Sequence, residues 1–292
     1  MIYDIIIIGN GILGTTLAWE LSRQQKNIKI AVVGPKNKFG SGSKASGAMI
    51  NVFAEIESDF MSNIFLKKKF EIAVRALDMW KDHHLKIQNY SKKKIELKWG
   101  TYVLNSSRGT KYEDRLFEYL DKLLNSPKYK NYEAEITDPE TIKGLSAQAP
   151  HRPIRSLKVS DGFIDSTQLI NAVDEIILKT KNIDIYDDVA KKINHKKNSI
   201  EVLTQNSKLK SSQIVMANGA YAQKIVDQLT NLKNNTPKVF FGAGSAAILK
   251  KNDNRTKFDK TKQLYPELAI RTMDRGHACG LHLLPFKKHM YL

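Results

Sequence analysis

The chain has 292 residues, enough for one large domain or two moderate ones that each bury a core, and its 41% hydrophobic and 26% charged residues exclude a disordered polymer. The single cysteine, Cys279, excludes an internal disulfide and accords with a reducing, cytoplasmic setting. Net charge is +17, yet the lysines fall in short scattered clusters (Lys67 to Lys69, Lys92 to Lys94, Lys191 with Lys192, Lys196 with Lys197) with no aromatic RNA motif or helix-turn-helix pattern, so the charge reads as attraction for small anions and not as a specific nucleic-acid surface.

Tyr3 to Ile8 is a continuous β-branched run, the pattern of a parallel strand buried on both faces, and it is too short for a signal sequence or a membrane span. It leads into Gly9-Asn10-Gly11-Ile12-Leu13-Gly14, a GxGxxG, after which Leu13, Leu17, Ala18 and Leu21 recur at helical spacing and Ile28 to Val33 forms a second buried strand. A GxGxxG between strand and helix, in a unit of about thirty residues, predicts a dinucleotide site. Gly9 permits the turn out of the strand, Gly11 lets the backbone approach a diphosphate, and Gly14 lets the helix pack on the strand; the helix N-terminus then faces the phosphates. The carboxylate expected at the end of the second strand is missing. Gly34 stands there, followed by Pro35, Lys36, Asn37 and Lys38. Backbone groups or a side chain from elsewhere must then hold the ribose, and the lysines keep a 2′-phosphate, hence an NADP-linked reductase, open as an alternative.

From Phe39 to Ile50 small residues dominate, and the hydroxyls of Ser41, Ser43 and Ser46 can donate to phosphate or ring oxygens of a ligand lying against the backbone. Phe70, Ala73, Val74, Leu77 and Trp80 recur at helical spacing, as do Leu116, Leu120, Leu123 and Leu124; Lys98 to Val103 reads as a strand, and Asp138-Pro139-Glu140 as a helix start. His83 and His84 are adjacent and diverge on a helix as solvated residues. Beyond residue 238 the chain reads as strands: Val239 to Phe241, Ala246 to Leu249, Ala269 to Thr272 and Leu281 to Leu284, the last opening a hairpin through Pro285-Phe286-Lys287-Lys288 into His289 to Leu292.

GNGILG, then VVGP, then GSGSKASGAMI resembles the N-terminal region of the D-amino-acid oxidase and glycine oxidase family of FAD-dependent oxidoreductases. Asp161-Gly162-Phe163-Ile164-Asp165, Tyr186-Asp187-Asp188-Val189 and Ile214-Val215-Met216-Ala217-Asn218-Gly219-Ala220-Tyr221 are similar to later elements of that family, in the same order. The resemblance implies an α/β fold: a Rossmann-like FAD-binding domain (residues 1–55 and 155–225) with an interleaved α+β substrate domain on a mixed sheet (56–154 and 226–292). It implies FAD as cofactor, held by Gly9, Gly11, Ile12, Leu13, Gly14, Gly34, Ser41, Ser43, Ser46, Gly47, Ala48, Met49, the backbone of Val189, and Ala217, Asn218 and Gly219. It also implies hydride transfer from an amine or amino acid to the flavin, which requires orientation more than acid–base groups. His282 is the candidate for orienting substrate, and Arg271 and Arg275 could meet a substrate carboxylate. The spacings of His277, Cys279, His282 and His289 match no zinc pattern, so no metal is expected. The chain stops on apolar residues where the family continues into a substrate-carboxylate arginine and a last flavin contact. A C-terminally truncated product is therefore expected, with a non-catalytic nucleotide-binding remnant as a further alternative.

Overall fold

The computed structural model describes residues 2–56, 62–106, 110–145, 152–196, 199–229, 236–239, 246–250, 265–273 and 281–292. In chain order the elements are β1 (Ile2–Ile8), α1 (Ile12–Gln24), β2 (Ile30–Val33), α2 (Gly42–Ala45), β3 (Met49–Ile50), α3 (Ile64–Ser91), β4 (Leu97–Ser106), α4 (Lys111–Leu124), β5 (Ala134–Thr137), β6 (Pro153–Ile164), α5 (Ser166–Leu178), β7 (Ile183–Tyr186), β8 (Ala190–Lys196), β9 (Ser199–Thr204), β10 (Lys208–Met216), α6 (Ala222–Val226), β11 (Ile248–Lys250), β12 (Ala269–Thr272), β13 (His282–Pro285) and β14 (His289–Tyr291). They form two compact units: Met1–Ser46 with Lys86–Ile95 and Ser166–Ser245, and Gly47–Leu85 with Glu96–Asp165 and Ala246–Leu292. The class is α/β, a Rossmann-like unit and an α+β unit on a mixed sheet, as the motifs predict.

The first unit holds a six-stranded sheet in the order β7-β2-β1-β10-β9-β8. Its first four strands are parallel, and β10, β9 and β8 form an antiparallel meander. The β-branched run is buried as its composition requires: Ile6, Ile7, Ile30, Ala31 and Val32 are fully buried. Tyr3 is buried among them because its hydroxyl has partners, donating to Asp184 Oδ2 at 2.8 Å with Tyr186 Oη 2.6 Å away. Helix α1 differs from the expected face. Leu13 is 75% exposed, and the buried stripe is Gly14, Thr15, Ala18, Trp19 and Ser22. The rotation follows from Gly14, which must meet the strand where nothing larger fits.

The second unit holds an eight-stranded sheet, β11-β14-β13-β12-β4-β6-β3 with β5 beside β6. The β12–β4 pair is parallel and the other pairs are antiparallel. The expected hairpin is present, with Leu284 opposite Tyr291 and Pro285 opposite Met290. Val239 lies in no element, and Phe241 is outside the described residues. Helix α4 begins on a reciprocal cap: Thr110 Oγ1 accepts from Glu113 N, and Glu113 accepts from Thr110 N. Leu116, Phe117, Leu120 and Leu124 bury its apolar face. Helix α3 is longer than its predicted stripe, and His83 on it is half-buried edge-on to Trp80 rather than solvated. Among the described residues no helix is long and apolar enough to cross a membrane.

Candidate functional site: a glycine-loop cavity

The first unit contains a cavity of about 460 Å³, within the size range of small-molecule sites, at the C-terminal ends of β1 and β10. Gly9, Asn10, Gly11 and Leu13 form one wall, Pro35 and Lys38 to Ser43 a second, and Ala217 to Tyr221 a third. The glycines answer to backbone approach. Gly9 has φ of +111°, and a Cβ there would lie 2.4 Å from Ala217 O; a Cβ on Gly14 would lie 1.9 Å from Gly9 O. The two loops are tied by Ser43, whose Oγ accepts from Ile12 N at 3.1 Å, while Ser41 Oγ accepts from Lys44 N at 3.2 Å and caps α2. Because both serines act as acceptors in these bonds, each hydroxyl proton remains available to an anionic oxygen. Among the described residues the buried Asn218 Oδ1 has no hydrogen-bond partner, an acceptor in want of a donor.

Of the wall residues, sequence reasoning passed over Asn10, weighed Lys38 only for a 2′-phosphate, and named Tyr221 only as the end of a motif. The signal for Asn10 was a bulky polar residue at the second position of GxGxxG, where only the glycines were weighed. Lys38 is buried, with its ammonium on Asp174 at 2.8 Å and on the Asn10 carbonyl. That commitment leaves Lys36 as the exposed lysine of the pair considered for a 2′-phosphate. Lys38→Met strands the Asp174 carboxylate, whose 28% side-chain exposure softens the penalty. Urea unfolding should show a loss of about 2 kcal/mol, and the double variant Lys38→Met/Asp174→Leu a smaller one.

The structure does not bring every candidate to this cavity. Gly34 is buried behind Asn10 and does not line it. Val189 lies between β7 and β8, 42% exposed, its N–H on Asp188 Oδ1. Gly47, Ala48 and Met49 belong to the second unit. There a Cβ on Gly47 would lie 2.7 Å from Leu284 and Tyr291 atoms, Ala48 has a left-handed φ of +52°, and Met49 pairs with Phe163.

His282 is in the second unit, directly across the β12–β13 ladder from Arg271. Arg271 is buried and ion-paired with Glu55, and its Nε has no hydrogen-bond partner among the described residues; His282 Nε2 is likewise buried and unpartnered. Burial holds the His282 imidazole below its ordinary pKa of 6.5, the Arg271 guanidinium pushes the same way, and Glu55 opposes them. The imidazole is therefore neutral at neutral pH. Arg271→Met removes the repelling cation and leaves Glu55, so the His282 pKa should rise, as an NMR titration of its ring protons would register. Arg275, His277 and Cys279 lie outside the described residues. Among the described residues no group of three or more His, Cys, Asp or Glu side chains is placed to hold a metal.

A family model described as FAD dependent oxidoreductase (DAO) matches residues 4–289, nearly the whole chain. The chain belongs to this family. Among solved structures, glycine oxidase from Bacillus cereus is similar at 18% identity and a TM-score of 0.72, over 99% of this chain and 69% of that one. Glycine oxidase from Geobacillus kaustophilus gives 14% and 0.70, over 99% and 70%. L-α-glycerophosphate oxidase from Mycoplasma pneumoniae, with FAD bound, gives 15% and 0.70, over 100% and 71%. No curated protein matches the sequence. The cofactor of this family is FAD, and the cavity suits it: two glycine-bounded backbone walls that a Cβ would fill, two serine hydroxyls with protons to donate, and an orphaned buried acceptor on Asn218.

Proposed function

We propose that the chain is an FAD-dependent oxidoreductase that oxidises the C–N bond of a small amine or amino acid. The observation that carries this reading is the family match over residues 4–289. The glycine oxidases among the similar structures supply the substrate class. When bound, FAD supplies the two-electron acceptor. The protein's part is to bind and orient. Gly9, Gly11, Ile12, Leu13 and Gly14 with Ser41 and Ser43 would hold the diphosphate, and Ala217, Asn218 and Gly219 would pass along the cofactor. Ser46, Gly47, Ala48 and Met49 would continue that contact, and the Val189 backbone would meet the adenine. His282, neutral and beside Arg271, would orient the substrate, and a substrate carboxylate would share the Arg271 guanidinium with Glu55. Blocks 1–55 and 155–225 would thus serve the cofactor, and 56–154 with 226–292 the substrate.

A second reading, oxidation at a carbon bearing oxygen, is favoured by the similarity to L-α-glycerophosphate oxidase, since a buried arginine accepts phosphate as readily as carboxylate. The visible spectrum of the purified chain, before and after incubation with FAD, tests the cofactor. Anaerobic addition of glycine, a secondary amine or glycerol 3-phosphate tests the substrate. Bleaching by an amine is expected; bleaching by glycerol 3-phosphate alone would transfer the assignment to the second reading, and a colourless chain that takes up no flavin would end both.

A further inference from the structure

Dinucleotide folds of this kind end the second strand on a carboxylate that accepts from the adenosine ribose hydroxyls, and here that position is Gly34. A Cβ built on Gly34 would lie 2.4 Å from both Cγ and Oδ1 of Asn10, and 2.9 Å from its Cβ. The Asn10 carboxamide therefore occupies the room that any side chain at 34 would need, and it, not Gly34, faces the cavity. It is also held in place. Its Nδ2 donates to Pro35 O at 3.0 Å, and Lys38 grips its backbone carbonyl. Among the described residues the hydrogen bonds of Asn10 use its Nδ2 and its backbone carbonyl, and the residue is only 9% exposed.

We propose that Asn10 reads the adenosine ribose, its Oδ1 accepting from the hydroxyls in place of the absent carboxylate, and that Gly34 is glycine because Asn10 fills its side-chain space. This rests on the reading of the cavity as the FAD site. The two residues form an exchange: either a carboxylate at 34 with a glycine at 10, or a carboxamide at 10 with a glycine at 34. A neutral acceptor makes a weaker hydrogen bond than a charged one, by about twofold in energy, so the asparagine arrangement binds the ribose less firmly than its carboxylate counterpart.

The test uses the full chain freed of flavin, with ADP and 2′,3′-dideoxy-ADP as competitors of FAD, followed by flavin fluorescence. The native chain should prefer ADP by about tenfold, the value of one or two ribose hydrogen bonds. Asn10→Gly should bring the two competitors to within about twofold, and Asn10→Gly/Gly34→Glu should restore or exceed the native preference. Gly34→Glu alone should lose FAD through the clash, and the double variant keeps the idea testable if that single variant does not fold. A native chain that binds both competitors equally, or an Asn10→Gly chain that keeps the full preference, overturns the assignment to Asn10. A double variant no better than Asn10→Gly overturns the exchange. A native chain that binds neither FAD nor ADP overturns the cavity reading itself, an outcome distinct from binding without hydroxyl discrimination.

Discussion

Gly14→Ala is expected to lower stability by about 3 kcal/mol, although it adds a single methyl group. It is expected to weaken FAD binding by about tenfold or more, equivalent to at least ~1.4 kcal/mol. The new carbon would sit 1.9 Å from Gly9 O, 3.1 Å from Gly9 C and 3.2 Å from Ile7 Cγ2. The atoms in its way are mostly backbone, and that backbone is the turn at φ +111° that separates β1 from α1. No rotamer change relieves such a contact, so α1 must lift from the strand, and with it the helix N-terminus that faces the cavity. Gly42→Ala is the control. Gly42 also lines the cavity, but a Cβ there meets nothing within 4 Å. Its unfolding free energy should stay within about 0.5 kcal/mol of the native chain. Equal losses for the two variants in urea unfolding would show that the close approach of α1 to the strand is not what Gly14 provides.

The β1–glycine loop–α1–β2 unit was legible because its signals are local: a buried β-branched run, glycines at fixed spacing and a helical stripe within one stretch of chain. The hairpin from His282 to Tyr291 was legible for the same reason. The buried face of α1 was not. Periodicity nominated Leu13 and Leu17, but close approach at Gly14 turned the face of Gly14, Thr15, Ala18, Trp19 and Ser22 inward and left Leu13 exposed. Lys38 read as a possible 2′-phosphate ligand because its partner Asp174 is 136 residues away on α5. The exchange between Asn10 and Gly34 was hidden likewise, since sequence shows a missing carboxylate but not what fills its volume. Arg271 and His282 were named singly; only the β12–β13 register makes them neighbours, and burial together with the Arg271 charge gives the imidazole its lowered pKa.

Asp161 shows how a residue named for a motif acquires a measurable consequence once its surroundings are known. It lies on β6, fully buried, and its carboxylate caps the turn at Phe53–Glu55 by accepting from Phe53 N at 3.1 Å and Ala54 N at 2.8 Å. Burial raises its pKa from 3.8 to about 6, while backbone N–H groups of Ala54, Phe53 and Val52 and the charge of Arg271 hold it down. The proton is bound more tightly in the folded chain than in the unfolded one. Its contribution to stability is therefore fully present below the unfolded value of 3.8 and is lost as pH rises through about 6. A shift of roughly two units corresponds to about 3 kcal/mol. Asp161→Asn has no proton to lose, so the unfolding free energy of the variant minus that of the native chain should move in the variant's favour by about 3 kcal/mol between pH ~4 and pH ~7. Taking the difference cancels carboxylates such as Glu175 and Glu201, whose lowered pKa values give the opposite slope in both proteins. Urea titrations across that range measure it directly. A difference that stays constant with pH would mean that the folded and unfolded chains hold the Asp161 proton equally, and that the backbone donors and the Arg271 charge offset the whole cost of burying the charge.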